Sequence, residues 1–160
     1  AQHWAFLPAE AWMDAADEAQ DREFHGQYDI WGGDIDPRAV AIARDNARKA
    51  GVDDCVRFEV ADAAQFHRDS PYGQLVTNPP YGERLLEKKE AEDLYRMFGA
   101  ALRDLPPKWR VLVLSSHTEF ERCFGRSADK KRKLYNGMIK CDYYMYTDNS
   151  RKYQKRDDKK

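Results

Sequence analysis

The chain has 160 residues, of which 42% are hydrophobic and 34% charged, and this composition is typical of one water-soluble globular domain. No apolar run approaches the roughly 20 residues that a membrane-spanning helix needs, and the first ten residues lack the pattern of a signal peptide. A membrane partner is therefore not expected. Cys55, Cys123 and Cys141 are widely spaced and form no CxxC pair, which argues against zinc and disulfides and favours a reducing cytoplasm.

The net charge of −1 is unevenly distributed along the chain. Residues 126–160 carry a net charge of +7, and the remainder carries −8. Such asymmetry indicates a basic end that meets a polyanion, although a solvated tail explains the last dozen residues equally well.

The first half of the chain predicts a helix, a strand, a second helix and a second strand. Apolar residues recur at helical spacing over 8–24, and a short strand with glycines and acids near its end follows over 28–36. Asp36-Pro37 is a strong helix start, and Gly51 stands where a C-cap glycine belongs. Residues 56–60 alternate like a strand.

The second half predicts three further strands, a hairpin partner and two helices. The predicted strands are 74–77, 110–115, 131–135 and 138–146, and the predicted helices are 87–105 and 117–124. The apolar run 110–115 suggests burial on both faces. Asn136-Gly137 is the strongest short hairpin signal, and 148–160 is predicted to be disordered.

Alternating strands and helices predict an α/β fold with a doubly wound, mostly parallel sheet, closed by an antiparallel carboxyl-terminal hairpin. We expect a domain over 1–147 and a charged tail over 148–160. In such sheets, ligands bind beyond the carboxyl ends of the strands. Polar groups follow predicted strands at Asp34, at Asp62 and at 78–81.

Asp34 and Asp62 are candidate cofactor contacts. A carboxylate at Asp34 can accept hydrogen bonds from both hydroxyls of an adenosine ribose, and Gly32 and Gly33 would let the ligand approach the backbone. Asp62 can accept from an adenine amino group, with the Ala63 N–H reading the ring. The competing interpretation is that these acids only cap turns and helices, as Asp36 is expected to do.

The segment Asn78-Pro79-Pro80-Tyr81 carries the strongest chemical signal. An exocyclic base amine is a poor nucleophile, because its lone pair is delocalised into the ring. The Asn78 side-chain oxygen and the Pro79 carbonyl can accept its two hydrogens and hold it pyramidal, since proline favours an extended loop that presents carbonyls. Tyr81 offers a flat face for a flipped base, and Gly82 permits close approach. A plain Pro-Pro strand stop would leave the flanking residues unexplained.

Two further groups are weaker signals. Lys130, Lys131, Arg132 and Lys133 could bind nucleic-acid phosphates, and protection of an edge strand is an equally good explanation. Tyr143, Tyr144, Tyr146 and Tyr153 could stack on bases, but core packing explains the first three better. His3, His25, His67 and His117 show no ligand spacing and are not expected to be catalytic.

The chain resembles the bacterial family of RNA methylases whose best-understood members are large-subunit ribosomal RNA guanine-N2 methyltransferases. The matching segments are 33–37, 46–51, 78–84, Leu94-Tyr95 with Gly99, Phe120-Glu121 with Phe124-Gly125, and 128–137. This resemblance implies a class I methyltransferase fold, S-adenosylmethionine as cofactor and RNA, expected to be ribosomal, as partner. It implies that Asp34, Ile35, Asp62, Ala63 and Asn78 contact the cofactor and that 78–81 bind the target base.

The family places a glycine-rich loop, after a central strand, ahead of the segment that holds Asp34. No such loop occurs before Asp34 here, so we expect an N-terminally truncated domain that binds cofactor poorly. A DNA adenine-N6 or protein-glutamine methyltransferase remains an alternative, because the motif over 78–81 serves those substrates too. A non-catalytic nucleic-acid-binding module with a degenerate methyltransferase fold is a further alternative.

Overall fold

In the computed structural model, which describes residues 6, 8–23, 26–82 and 85–147, strands and helices alternate as predicted. The helices are α1 (Ala9–Asp21), α2 (Pro37–Ala50), α3 (Leu85–Ala101) and α4 (Phe120–Phe124). The strands are β1 (Ile30–Asp34), β2 (Val56–Val60), β3 (Tyr72–Thr77), β4 (Lys108–Ser115), β5 (Lys130–Asn136) and β6 (Ile139–Tyr146). The predicted tail over 148–160 lies outside the described residues.

The strands form two sheets instead of the single sheet that the sequence predicted. β1 and β2 pair in parallel, and a second sheet has the order β3-β4-β6-β5. In the second sheet β3 and β4 are parallel, whereas β6 runs antiparallel to both β4 and β5. The predicted neighbours β3 and β4 and the closing hairpin are therefore confirmed.

The main core lies on one face of the four-stranded sheet, under α3 and α4. Its largest fully buried side chains include Tyr95 of α3, Phe120 of α4 and Tyr146 of β6. Aromatic rings fill this layer edge to face and in tilted pairs, as in the Tyr95–Phe120 and Phe124–Tyr146 contacts. These helices thereby brace the carboxyl end of β4.

The prediction that β4 is buried on both faces was wrong. Val111, Val113 and Ser115 are buried on the helix side, whereas Leu112 and Leu114 on the opposite side are only half-buried. A continuous apolar run shows how much of a strand can be buried, but burial on each face depends on which elements pack there.

Of two local signals, one gave correct helix boundaries and the other was out by one residue. Asp36 Oδ1 accepts a hydrogen bond of 2.8 Å from the Arg38 N–H, and Gly51 is the C-cap that follows the last helical residue, Ala50. At the hairpin, Asn136 pairs with Ile139, so the two-residue loop is Gly137-Met138 and not the predicted Asn136-Gly137. Asn136 has no positive φ, which a type I′ turn with Asn-Gly at its centre would require. Gly137 has a φ of 60°, as a type II′ turn requires at its first central position.

Among the described residues, no helix is both long enough and apolar enough to span a membrane. Cys55, Cys123 and Cys141 are all free thiols.

Candidate functional site

Asp34 and Asp62 lie at the same end of the two-stranded sheet. β1 and β2 are parallel and in register, with Asp34 opposite Val60, and the Ala61 N–H donates to the Asp34 carbonyl at 3.0 Å. Parallel pairing thus brings together the two carboxylates that the sequence analysis selected.

Each of these carboxylates shapes its own turn. Asp34 Oδ1 accepts from the Asp36 N–H, and Asp62 Oδ1 accepts from the Ala64 N–H, both at 2.8 Å. Within the described part of the chain, only one oxygen of each carboxylate is engaged in this way. The turns hold both side chains in place, and the second oxygen of each remains an acceptor for a ligand. Ile35, which lies between Asp34 and Asp36 in the chain, is exposed, and Ala63 begins a 3₁₀ turn, Ala63–Gln65.

Gly32 has a different role from the predicted one. A Cβ atom placed on Gly32 would lie 2.7 Å from two carbons of the Phe58 ring, which stands opposite it on β2. The space above this glycine is filled by that ring instead of by a ligand. Gly32 is therefore needed for packing between the strands.

The loop over 78–81 follows β3 and is held from behind by Tyr95. The Tyr95 hydroxyl donates to the Pro80 carbonyl at 2.5 Å, and the Tyr95 side chain is fully buried in α3. Burial raises the pKa of this phenol, so the hydroxyl keeps its proton and remains a donor. Asn78 and Pro80 are exposed, whereas Pro79 and Tyr81 are half-buried.

Tyr95 is itself supported by the end of β4. Its hydroxyl lies 3.4 Å from Ser115 Oγ, which accepts a hydrogen bond of 3.1 Å from the His117 N–H. The rings of Tyr95 and His117 meet edge to face at 5.5 Å. Burial lowers the pKa of His117, which keeps the imidazole neutral, and its Nε2 lies 3.6 Å from Glu92 Oε1.

Tyr81 is fixed by the carboxyl-terminal hairpin. Its hydroxyl accepts a hydrogen bond of 3.2 Å from Asn136 Nδ2 and lies 3.6 Å from Cys141 Sγ. Burial is the main cause that raises the pKa of Tyr81, so the phenol stays neutral. The ring that the sequence analysis assigned to base stacking is thus held at its far end.

A cleft of ≈400 Å³ opens beside this loop. Its lining residues are Pro80, Tyr81, Gly82, Glu87, Glu90, Ala91 and Leu94. Gly82 has a φ of 68°, and a Cβ there would lie 2.6 Å from the Lys88 Cα and 2.9 Å from the Glu87 carbonyl oxygen. The close approach that Gly82 permits is therefore to the backbone of α3.

The basic segment Lys130, Lys131, Arg132 and Lys133 forms most of β5, in which every residue is exposed. Lys131 Nζ lies 2.7 Å from Glu121 Oε2, on α4. As the packing interpretation predicted, Tyr144 and Tyr146 are buried, and Tyr143 is half-buried. Tyr153 lies outside the described residues.

Three residues that support the loop over 78–81 were not predicted from the sequence. Tyr95 and Ser115 stand behind it, and Asn136 was seen only as a turn residue although its side chain contacts Tyr81. The only sequence signal for Tyr95 was its place in a segment shared with the resembling family.

Comparisons with known proteins show the family to which the chain belongs. The family model UPF0020, described as "RMKL-like, methyltransferase domain", matches residues 2–145. The Bacillus subtilis (strain 168) protein named "Putative RNA methyltransferase YpsC" is 41% identical over 146 residues, covering 91% of this chain and 38% of that protein. "Ribosomal RNA large subunit methyltransferase K/L" of Shewanella baltica (strain OS185) is 36% identical over 150 residues, covering 91% of this chain and 21% of that protein.

A solved structure gives the same result at the level of the fold. SMU.472, crystallised in complex with SAH, superposes with a TM-score of 0.82 at 40% identity, over 91% of this chain and 38% of that one. The chain thus spans well under half the length of these relatives. Its α/β fold is that of a class I methyltransferase.

Proposed function

We propose, because this chain belongs to the UPF0020 family of RMKL-like methyltransferase domains, that the protein containing it methylates an exocyclic amino group of a base in RNA. The finer assignment that we propose is N2 of guanine in large-subunit ribosomal RNA. A relative 36% identical to this chain is named as a large-subunit ribosomal RNA methyltransferase, which supports the ribosomal assignment. Cytoplasmic action is part of the proposal and is consistent with the three free thiols.

One observation carries the proposal, namely the rigid support of the loop over 78–81. The Pro80 carbonyl is bonded to Tyr95, and the Tyr81 hydroxyl is bonded to Asn136. Acceptors that are already in position when the amine arrives need no reorganisation during the reaction, which is the main source of electrostatic catalysis. An ordinary strand stop would not need a fully buried tyrosine to fix its carbonyl.

In this mechanism the side-chain oxygen of Asn78 and the carbonyl of Pro79 accept the two hydrogens of the target amine. These bonds favour the pyramidal amine, whose lone pair can then attack a methyl group. The amine proton can leave after the methyl group has been transferred, so no strong general base is needed. Tyr81 would stack on the flipped base.

S-adenosylmethionine is the proposed cofactor, and it supplies the electrophilic methyl group when bound. The residues present fit its adenosine part, since Asp34 and Asp62 each keep a carboxylate oxygen as an acceptor at one sheet end. A related structure was crystallised with SAH, which supports this choice. Ile35, Ala63 and Asn78 complete the proposed cofactor contacts.

The choice of guanine is supported by the acidic lining of the cleft beside Tyr81. Glu87 and Glu90 offer carboxylate acceptors there. The Watson–Crick edge of guanine presents donors at N1 and N2, whereas adenine has an acceptor at N1. Acceptors in the pocket therefore suit guanine better than adenine.

The experiment is single-turnover methylation of large-subunit ribosomal RNA by the protein that contains this domain, at saturating cofactor. Asn78→Ala removes one preorganised acceptor and is expected to lower the rate roughly 100- to 1000-fold, with cofactor binding nearly unchanged. Asn78→Asp keeps an acceptor oxygen at the same place and is expected to retain more of the rate than Asn78→Ala.

Asp34→Ala is the comparison variant, because it should weaken cofactor binding without removing an amine acceptor. A wild-type rate for Asn78→Ala would contradict the amine-acceptor role. Methylation of DNA or of a protein glutamine in place of RNA would favour the alternative substrates for the same loop. Nucleic-acid binding without methylation of any of these would favour the non-catalytic module.

A further inference from the structure

We propose that the RNA strand flanking the target base lies along one face of β5. This face, called here the open face, carries Lys130, Arg132, Leu134 and Asn136. The inference rests on the proposed function, and it assigns the path that the substrate follows away from the base site.

The open face begins at the base site. Asn136 and Leu134 alternate with Tyr135 along β5, so they point to the same side of the sheet. Cys141, which stands opposite Leu134, shares that side. Both Asn136 and Cys141 contact the Tyr81 hydroxyl, so this hydroxyl lies at the Asn136 end of the open face.

The opposite side of β5 is turned toward α4. Lys131 bonds Glu121 of α4, and its Nζ lies 5.7 Å from the ring centroid of the buried Tyr144. Lys133 stands opposite Asp142 in the register of the hairpin. The positive charges of this helix-side face are therefore near carboxylates within the protein.

The open face carries positive charge without an acidic neighbour in its sheet. In the four described strands β3 to β6, the one acidic residue is Asp142, on the helix side. Among the described residues, no ion pair engages Lys130 or Arg132. Arg132 stands opposite the half-buried Tyr143.

The geometry matches a strand of nucleic acid leaving the base site. Residues on one face of a strand recur about every 6.6 Å, so Arg132 lies about 13 Å and Lys130 about 20 Å along β5 from Asn136. A base held at Tyr81 would thus be followed by neighbouring nucleotides whose phosphates meet these two cations. Leu134, 42% exposed between Asn136 and Arg132, offers an apolar contact for a base.

Protection of an edge strand against aggregation is the competing explanation for the same charges. That explanation makes no distinction between the two faces of β5, since charge on either side discourages pairing with another edge. Each face of β5 carries two of the four cations, so the same number of charges can be removed from either face and the effects compared.

The experiment compares two double variants of the protein that contains this domain. The open-face variant is Lys130→Ala with Arg132→Ala, and the control is Lys131→Ala with Lys133→Ala. The affinity for a mixed-sequence single-stranded RNA oligonucleotide is measured across a salt series. Because each lost phosphate contact lowers the log–log salt slope by about 0.7 for single strands, the open-face variant should lower it by about 1.4. When the salt is lowered from 1 M to 0.15 M, the affinity of the wild type should therefore rise about 14-fold more than that of the variant. The control should keep the wild-type slope.

A second measurement uses adjacent residues that point to opposite sides. Photocrosslinking to RNA is expected from Leu134→benzoylphenylalanine and not from Tyr135→benzoylphenylalanine. This comparison does not depend on charge, so it separates direct contact from long-range attraction.

Equal losses in the two double variants, or equal crosslinking at the two positions, would overturn the inference. The inference would also be overturned if the open-face variant lost binding to a protein partner while its RNA affinity was unchanged. If methylation still depends on Asn78 in that case, the proposed function survives and only the path is wrong. If the wild-type protein neither binds nor methylates RNA, both fail.

Discussion

At the scale of single residues, Tyr95 offers a sharp test of how the loop over 78–81 is held. Tyr95→Phe removes the hydroxyl that donates to the Pro80 carbonyl at 2.5 Å and leaves the ring in the core. A lost hydrogen bond of this kind costs about 1 kcal/mol, which is roughly fivefold in rate if the loop must be rigid in the transition state. Single-turnover methylation should slow by that factor while the cofactor Kd stays unchanged.

Tyr146→Phe is the matched control for this prediction. Tyr146 is equally buried, and its hydroxyl donates to the Arg126 carbonyl at 3.3 Å, in a different segment from the loop. Both variants should lose a similar free energy of unfolding, but only Tyr95→Phe should slow methyl transfer. Equal rates in the two variants would mean that Tyr95 serves packing alone.

Residues whose partners lie nearby in sequence were predicted, and residues with distant partners were not. The cap at Asp36 joins residues two positions apart, so a dipeptide signal was sufficient. Tyr95 and Pro80 are 15 positions apart, and Asn136 and Tyr81 are 55 apart. Their contacts depend on how α3 and the hairpin pack against the loop, and no local pattern encodes that.

At the scale of elements, the junction between the loop and α3 depends on Gly82. Gly82→Ala would place a residue that has a side chain at a φ of 68°. The added Cβ would also lie only 2.6 Å from the Lys88 Cα. The conformation alone costs about 1–3 kcal/mol, and the overlap with the backbone of α3 adds to it. Urea denaturation should show a loss of stability larger than conformation alone explains.

Gly137→Ala provides the comparison, because Gly137 also has a positive φ of 60°, but a Cβ added there would have no heavy atom within 4 Å among the described residues. This variant should lose only the conformational part. If the two alanine variants were equally stable, close packing between Gly82 and α3 would not be important.

Elements with both a start and a stop signal were predicted almost to the residue. α2 has Asp36 and Pro37 at its start and Gly51 at its end, and it matches its predicted span. The half-buried face of β4 was missed, because an apolar run is the same in sequence whether one face is covered or both are.

At the scale of the whole molecule, the pairing of neighbouring strands was predicted more successfully than the number of sheets that they form. The alternation of strands and helices indicated parallel neighbours, and β3 and β4 are indeed paired. The division into a β1-β2 sheet and a four-stranded sheet was not predicted. In the described residues, β1 and β3 each pair with a single neighbour.

The affinity of this 160-residue chain for S-adenosylmethionine follows from which parts of the ligand it can hold. In the proposed site, Asp34 and Asp62 would accept hydrogen bonds from the adenosine part, but the sequence contains no glycine-rich loop for the methionine part. We therefore expect binding weaker than micromolar in a calorimetric titration, with adenosine bound about as well as the whole cofactor and both weakened by Asp34→Ala. Micromolar binding, about −8 kcal/mol, together with much weaker binding of adenosine, would mean that other residues of this chain hold the methionine part.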